Sequence, residues 1–256
     1  MNVSQRKSIA AGAICVAAVL ATAIPSLAQT LTTTRSSVTI TQVKPEMLNE
    51  WTDLQKNEVN PALKKAGIKQ RTVLQNVLGN IYEYTTVTPL ETFGAYDGQS
   101  PVVRALGAEA AARLTAKLRK CIDGSRTFVS LRVNELSLMP DNPATATASV
   151  STRVRIAPGK NQDYESFIRN DILPLYKKGK AEGKILGYSF SRRSLGANTS
   201  ERTQTVYLNK YADIDAGSAL ARIAGQDAVT KIFAKSTGLS TLVEQLVRRR
   251  VADLSF

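Results

Sequence analysis

Among the residues of this 256-residue chain, the carboxylate flanked by two phenols, Tyr82-Glu83-Tyr84, is the arrangement best suited to moving a proton or gripping a ligand. It lies in a stretch, Arg71–Val87, that also carries Arg71, Gln75 and Asn76. If Glu83 faces an apolar interior, lost hydration raises its pKa and fits it to proton transfer or ligand binding. If it pairs with an arginine such as Arg71, or faces solvent at an edge, its role is structural. A second set reads either as packed core or as the wall of a ligand cage: Tyr188, Phe190 and Arg192 on one strand face, with Tyr207 in the paired strand. The candidate ligand-binding residues are therefore Arg71, Asn76, Tyr82, Glu83, Tyr84, Tyr188 and Tyr207. Arg248-Arg249-Arg250 opens the expected last strand, and side-chain alternation would point Arg249 inward as an anion contact, with Arg248 and Arg250 facing the other way. Protection of a sheet edge by charge is the alternative reading of that cluster.

The chain has no histidine, which removes Ser-His-Asp and Cys-His nucleophilic sites. No Cys/His cluster offers a zinc site and no glycine-rich phosphate loop is present, Gly94, Gly98, Gly107 and Gly124 being scattered at turns. The expectation is a protein with no cofactor, no metal and no assignable catalytic residue, and whether it is an enzyme stays open.

Met1–Ala28 has the make-up of a secretory signal peptide: Arg6-Lys7, an apolar run from Ile9 to Ile24, and Ser26-Leu27-Ala28 ahead of Gln29. Cleavage near Ala28 predicts a periplasmic or secreted protein with no transmembrane segment in the mature chain. Loss of Arg6 and Lys7 lowers the formal charge from +13 to +11, an excess that predicts weak attraction to anionic envelope surfaces. No basic run interleaved with aromatics marks a specific nucleic-acid module. Cys15 goes with the leader, so Cys121 is the single cysteine left, a buried inert thiol in a helical stretch, and the fold must rest on its core.

These residues need elements to hold them, and the chain writes its plan twice. Sliding Pro45–Lys65 by 113 positions aligns Pro45 with Pro158, Trp51 with Tyr164, Asn57 with Asn170, Pro61 with Pro174 and Lys64-Lys65 with Lys177-Lys178. Both copies carry an amphipathic apolar stripe, and both predict a kink at Pro61 and Pro174, where the ring crowds the carbonyl four residues back. Around them the first unit reads as strand Val38–Val43, helix from Pro45, a hairpin of Gln70–Val77 with Ile81–Val87, a break at Asp97–Pro101, helix Ala108–Cys121 and strand Arg126–Leu138. The second reads as strand Val150–Ile156, helix Lys160–Glu182, a hairpin of Leu186–Arg193 with Arg202–Leu208, a mostly helical Asp213–Lys235 and strand Val247–Leu254. The fold class is α+β: two tandem ferredoxin-like β-α-β-β-α-β units, 36–138 and 148–256, joined by a linker at 139–147.

The doubled order, with Val43-Lys44-Pro45 ahead of Trp51 and Ile156-Ala157-Pro158 ahead of Tyr164, resembles the dimeric α/β-barrel proteins, among them antibiotic-biosynthesis-type monooxygenases and NIPSNAP-like proteins. The resemblance spans nearly all of 36–256. It implies two antiparallel sheets packed face to face into a barrel, here closed within one chain, so that the protein is a monomeric pseudo-dimer or a homodimer. The bare face that each helix-covered sheet leaves gives a physical reason for closure. The histidine-ligated haem of some relatives is excluded, and no catalytic residue carries over. The first functional expectation is an exported protein binding a small apolar molecule between its sheets. The alternative is a cofactor-independent monooxygenase or isomerase acting on a small aromatic substrate, and a third reading is an anion-binding surface. An interior site needs a cavity on the order of 300 Å³.

Overall fold

In a computed structural model, which describes Leu31–Phe256, eight strands close into one antiparallel barrel. The predicted leader at 1–28 lies outside the described residues. In chain order the elements are β1 (Thr33–Val43), α1 (Leu48–Leu54), α2 (Asn60–Lys65), β2 (Thr72–Asn76), β3 (Glu83–Pro89), α3 (Pro101–Leu106), α4 (Ala108–Lys120) and β4 (Ile122–Val133). The second half repeats them as β5 (Ala148–Ile156), α5 (Asn161–Phe167), α6 (Leu173–Ala181), β6 (Gly187–Arg193), β7 (Glu201–Leu208), α7 (Ala219–Ala224), α8 (Gln226–Ser236) and β8 (Ser240–Arg250). The ring runs β1-β3-β2-β8-β5-β7-β6-β4, so each half supplies four consecutive strands in the order last-first-third-second. Two seams join the halves. β2 meets β8 at Leu74↔Arg250, Gln75↔Arg249 and Asn76↔Arg248, and β4 meets β6 at Ser130↔Arg193, Leu131↔Arg192 and Arg132↔Ser191. Pairing across both seams leaves the barrel without an open sheet edge.

The duplicated helix contains the most specific local feature. In the second copy Tyr164, Ile168, Ile172 and Tyr176 are all buried, and in the first Trp51, Gln55 and Val59 are. A constant step of four drifts off one face of a helix with 3.6 residues per turn. Both copies correct the drift with a wider π-helical turn, at Gln55–Val59 and Ile168–Ile172, where Asn60 N donates to Gln55 O and Leu173 N to Ile168 O. Pro61 and Pro174 follow directly, and the wider turn gives their rings room. The expected disturbance at each proline is thus a π turn in both halves.

Several boundaries differ from expectation. The Thr-rich segment before Val38 is strand from Thr33, paired with Arg132 and Val133 of β4, because β-branched threonines suit a pleated sheet. The break at Asp97–Pro101 opens a helix, α3, with Pro101 in its first turn and Ser100 Oγ accepting from Val103 N. The final strands end earlier than predicted, at Val133 and Arg250. Each passes into a 3-10 turn, Asn134–Leu136 or Ala252–Leu254, that buries Leu136 or Leu254 completely. The chain entering the linker runs so close to β6 that a Cβ on Gly187 would lie 2.5 Å from Leu138 O and 2.7 Å from Pro140 N.

Each half has its own apolar core between the outer sheet face and its helices. In the first half Trp51 packs against Tyr84, ring centroids 4.5 Å apart and the planes tilted by 45°, beside Val43, Val73 and Leu114. In the second, Tyr176 stacks on Tyr188 at 4.4 Å, with Phe190, Ile168 and Ile185 around them. Val38, Ile40 and Phe128 form a third, smaller cluster inside the barrel. Cys121 is fully buried, its thiol donating to Lys117 O and pushed up in pKa chiefly by burial.

Candidate functional site

Alternation along the eight strands divides the polar residues between two spaces. The first is a cavity of about 450 Å³ between the two sheets. Arg132, Arg193, Arg248 and Arg250 line it together with Tyr207 and eleven serine and threonine residues, and Met139, Pro140, Pro143 and Ala146 of the linker form part of its wall. Toward the opposite strand ends lies a buried ion network. Glu201 accepts from Arg153 Nη1 at 2.7 Å and from Arg155 Nη2 at 3.2 Å, and Arg193 Nη1 stands 3.7 Å away. Burial alone would raise the Glu201 pKa, but the hydrogen bonds from Arg153 and Arg155 outweigh it and hold the carboxyl below the usual range. Glu244 shares Arg153, at 2.8 Å from its Nε.

Of the seven residues singled out from the sequence, Tyr207 alone lines this inter-sheet cavity, its hydroxyl 3.5 Å from Ser189 Oγ and its pKa raised by burial. Asn76 and Glu83 do meet: Asn76 Nδ2 donates to Glu83 Oε1 at 3.2 Å while Arg248 Nε donates to Asn76 Oδ1 at 3.2 Å. Arg71 stays apart from Glu83. Its guanidinium donates to Asn60 Oδ1 at 2.6 Å and Gln55 Oε1 at 2.7 Å, and burial lowers its pKa to about 10. Tyr84 packs on Trp51 on the outer face, Tyr82 sits in the turn before β3, and Tyr188 is fully buried beneath the second half's helices.

The arginine cluster inverts its expected orientation. Arg248-Arg249-Arg250 closes β8 instead of opening the last strand, and Arg248 and Arg250 face the cavity. Arg249 points to the outer side, donating to Gln75 Oε1 at 2.7 Å. The strand begins seven residues earlier than the sequence suggests, and the seam with β2, absent from any local pattern, fixes which face each arginine takes. Since β8 is paired on both sides, the charges guard no edge.

The second space, about 620 Å³, lies outside the barrel between the second half's sheet and its helices. Val150, Val154, Val206 and Leu208 form its floor, Tyr164, Tyr176 and Leu220 its roof, and the exposed Ile214, Phe233 and Leu242 its rim. A polar chain crosses it: Tyr188 Oη donates to Gln204 Oε1 at 2.8 Å, and Gln204 Nε2 donates to Tyr164 Oη at 2.8 Å. Burial pushes the Tyr164 phenol up to about 12 and those of Tyr176 and Tyr188 further in the same direction. Arg222 also lines the space, its Nη1 donating to Lys184 O while Nε and Nη2 find no partner among the described residues. Sequence reasoning left Tyr164 and Tyr176 in the apolar stripe and passed over Gln204 and Arg222. Gln204 did leave a signal, as a lone amide in line with Val206 and Leu208 on the helix-facing side of β7.

Among the described residues no three His, Cys, Asp or Glu side chains gather to hold a metal ion, and no helix is long and apolar enough to cross a membrane.

No protein-family model and no curated protein matches the chain. Solved structures do. An anthrone oxidase-like protein aligns with TM-score 0.56 at 10% identity, over 85% of this chain and 91% of that one. A candidate monooxygenase from Fusobacterium nucleatum gives 0.55 at 11% identity, over 86% and 93%. One from Lactobacillus acidophilus NCFM gives 0.53 at 8% identity, over 88% and 96%. The fold is that of the dimeric α+β barrels. Identities this low establish the shared architecture, with both sheets here on one polypeptide, and leave activity to the residues of the site.

Proposed function

We propose that the protein is exported and binds a small, flat, largely apolar molecule in the cavity beneath the helices of its second half. The observation that carries this reading is the size and lining of that space: an apolar floor and rim, with Tyr164, Gln204, Arg222 and Asp213 among the polar groups able to orient a ligand. Such a mixture is what small-molecule sites use. The inter-sheet cavity, where an apolar ligand was first expected, has arginine and hydroxyl walls that suit a different occupant. Export is supported by the leader-like composition of Met1–Ala28.

The test is titration with the neutral aromatic fluorophore N-phenyl-1-naphthylamine. Binding with a low-micromolar or tighter Kd is expected, weakened roughly tenfold or more by Val206→Phe, which fills the floor, in a variant that still melts cooperatively. Unchanged binding by Val206→Phe would refute the assignment.

A second reading, oxygenation of a hydroxylated aromatic without a cofactor, is favoured by one observation. The Arg222 guanidinium, whose buried Nε and Nη2 have no partner among the described residues, would stabilise a phenolate in the same cavity once turned towards it. Oxygen uptake with hydroxylated anthracenes that disappears in Arg222→Leu, while fluorophore binding persists, is the expected result if the reading holds.

A further inference from the structure

Every arginine lining the space between the sheets belongs to a seam strand. The β2–β8 seam contributes Arg248 opposite Asn76 and Arg250 opposite Leu74. The β4–β6 seam contributes Arg132 opposite Ser191 and Arg193 opposite Ser130. The lining contains no aspartate or glutamate. Carboxylates stand outside the lining: Glu201, which already serves Arg153 and Arg155, lies 3.7 Å from Arg193, and Glu83 and Glu244 act on Arg248 without a direct ion pair. Among the described residues no ion pair forms at Arg132, Arg248 or Arg250: Arg132 Nη2 donates to Thr34 Oγ1 and Arg248 Nε to Asn76 Oδ1, neutral partners. Arg193 has a side chain only 10% exposed, lies over the Phe128 ring at 4.4 Å, and its Nε has no partner among the described residues. Thr85, a lining residue 4% exposed, has a buried Oγ1 that also finds no partner among the described residues.

Four guanidinium groups sharing one partly dehydrated cavity repel one another, and each lost hydrogen bond adds to the cost. Burial first, and then repulsion from Arg153, lowers the Arg193 pKa to about 10, which leaves Arg193 charged at neutral pH. A bound negative charge relieves both terms, and carboxylate or phosphate oxygens match the planar donor fork of arginine. The rest of the wall is not polar throughout. Val38, Ile40, Val87 and Phe128 present a continuous apolar strip to the same space. An occupant that satisfies both parts of the lining has a charged head and an apolar body.

We infer that the space between the two sheets binds a small organic anion, a carboxylate or phosphate ester, held by the arginines of the two seams with its apolar part against the Phe128 strip. The site exists only in the closed barrel, because neither half alone brings the two arginine pairs together. It is separate from the outer cavity of the second half, and the two proposals stand or fall independently.

Thermal melting and calorimetric titration at constant ionic strength, with benzoate, hexanoate and phenyl phosphate as probes and benzamide and inorganic phosphate as comparisons, give the test. At least one organic anion is expected to raise Tm and bind, with benzamide and inorganic phosphate at least tenfold weaker. Arg250→Gln and Arg132→Gln remove charges that have no carboxylate partner. Each is expected to leave the unliganded Tm unchanged or higher and to weaken the anion roughly tenfold or more, the worth of one charge-assisted hydrogen bond. Binding of N-phenyl-1-naphthylamine in the outer cavity should be unaffected by both. The proposal is overturned if none of the three organic anions binds. It is also overturned if benzamide or inorganic phosphate binds as tightly as they do, or if both arginine variants bind like the parent.

Discussion

Tyr188 illustrates how a single polar atom constrains this interior. Its ring is fully buried, and its hydroxyl is satisfied by Gln204, which in turn donates to Tyr164. Gln204→Leu would leave that hydroxyl stranded, and a loss of about 1–3 kcal/mol in unfolding free energy is expected. Adding Tyr188→Phe should recover most of it, and urea midpoints of the single and double variants are the check. The same phenols set an alkaline limit. Burial raises the Tyr164 pKa from 10.0 to about 12, so the unfolded chain loses this proton first as pH rises. The stabilisation is intact below pH 10 and declines as pH climbs towards 12, which a comparison of urea midpoints at pH 9 and pH 11 will register. Tyr188 was visible in the sequence as an aromatic on a strand face, and Gln204 only as a lone amide in line with Val206 and Leu208. That alignment places the amide on the helix-facing side of the strand but does not name the buried phenol it meets.

At the scale of elements, the duplicated π turn links sequence to packing directly. The four-residue step Tyr164, Ile168, Ile172, Tyr176 needs the wider turn to stay on the sheet, and Pro174 needs it to avoid the carbonyl behind it. Deleting Asn170 should convert the turn to regular α-helix and force that clash, a loss of about 3 kcal/mol. Pro174→Ala is expected to cost under about 1 kcal/mol alone and to restore most of the stability when combined with the deletion. Equal effects of Pro174→Ala in both backgrounds would sever the connection between proline and turn. The prolines announced an irregularity here, whereas its form depended on tertiary contact: only the buried side of the helix shows that the step of four had to be kept.

For the whole molecule, closure through two three-pair seams means that neither sheet has an inner face of its own to spend on water. Fragments 31–138 and 148–256, expressed separately, should aggregate or pair with themselves, and on mixing should form a one-to-one complex measurable by size-exclusion chromatography with light scattering. A monomeric 148–256 fragment with a cooperative melt would contradict this view of stability.

The order of elements and the doubling of the plan were written locally, in apolar periodicity and in the repeated Pro45/Pro158 and Pro61/Pro174, while the sheet-on-sheet barrel was expected from the resemblance and from the bare face each sheet leaves. The local signals survive because they report on one strand or helix at a time. Which arginines of Arg248-Arg249-Arg250 face inward was decided by β8 starting at Ser240 and meeting β2 at Leu74↔Arg250. The outer cavity was decided by how α7 and α8 rest on the second sheet. Both depend on residues more than a hundred positions apart or on the fit between layers. A shift of one position in strand register exchanges the two faces without altering the pattern of the sequence.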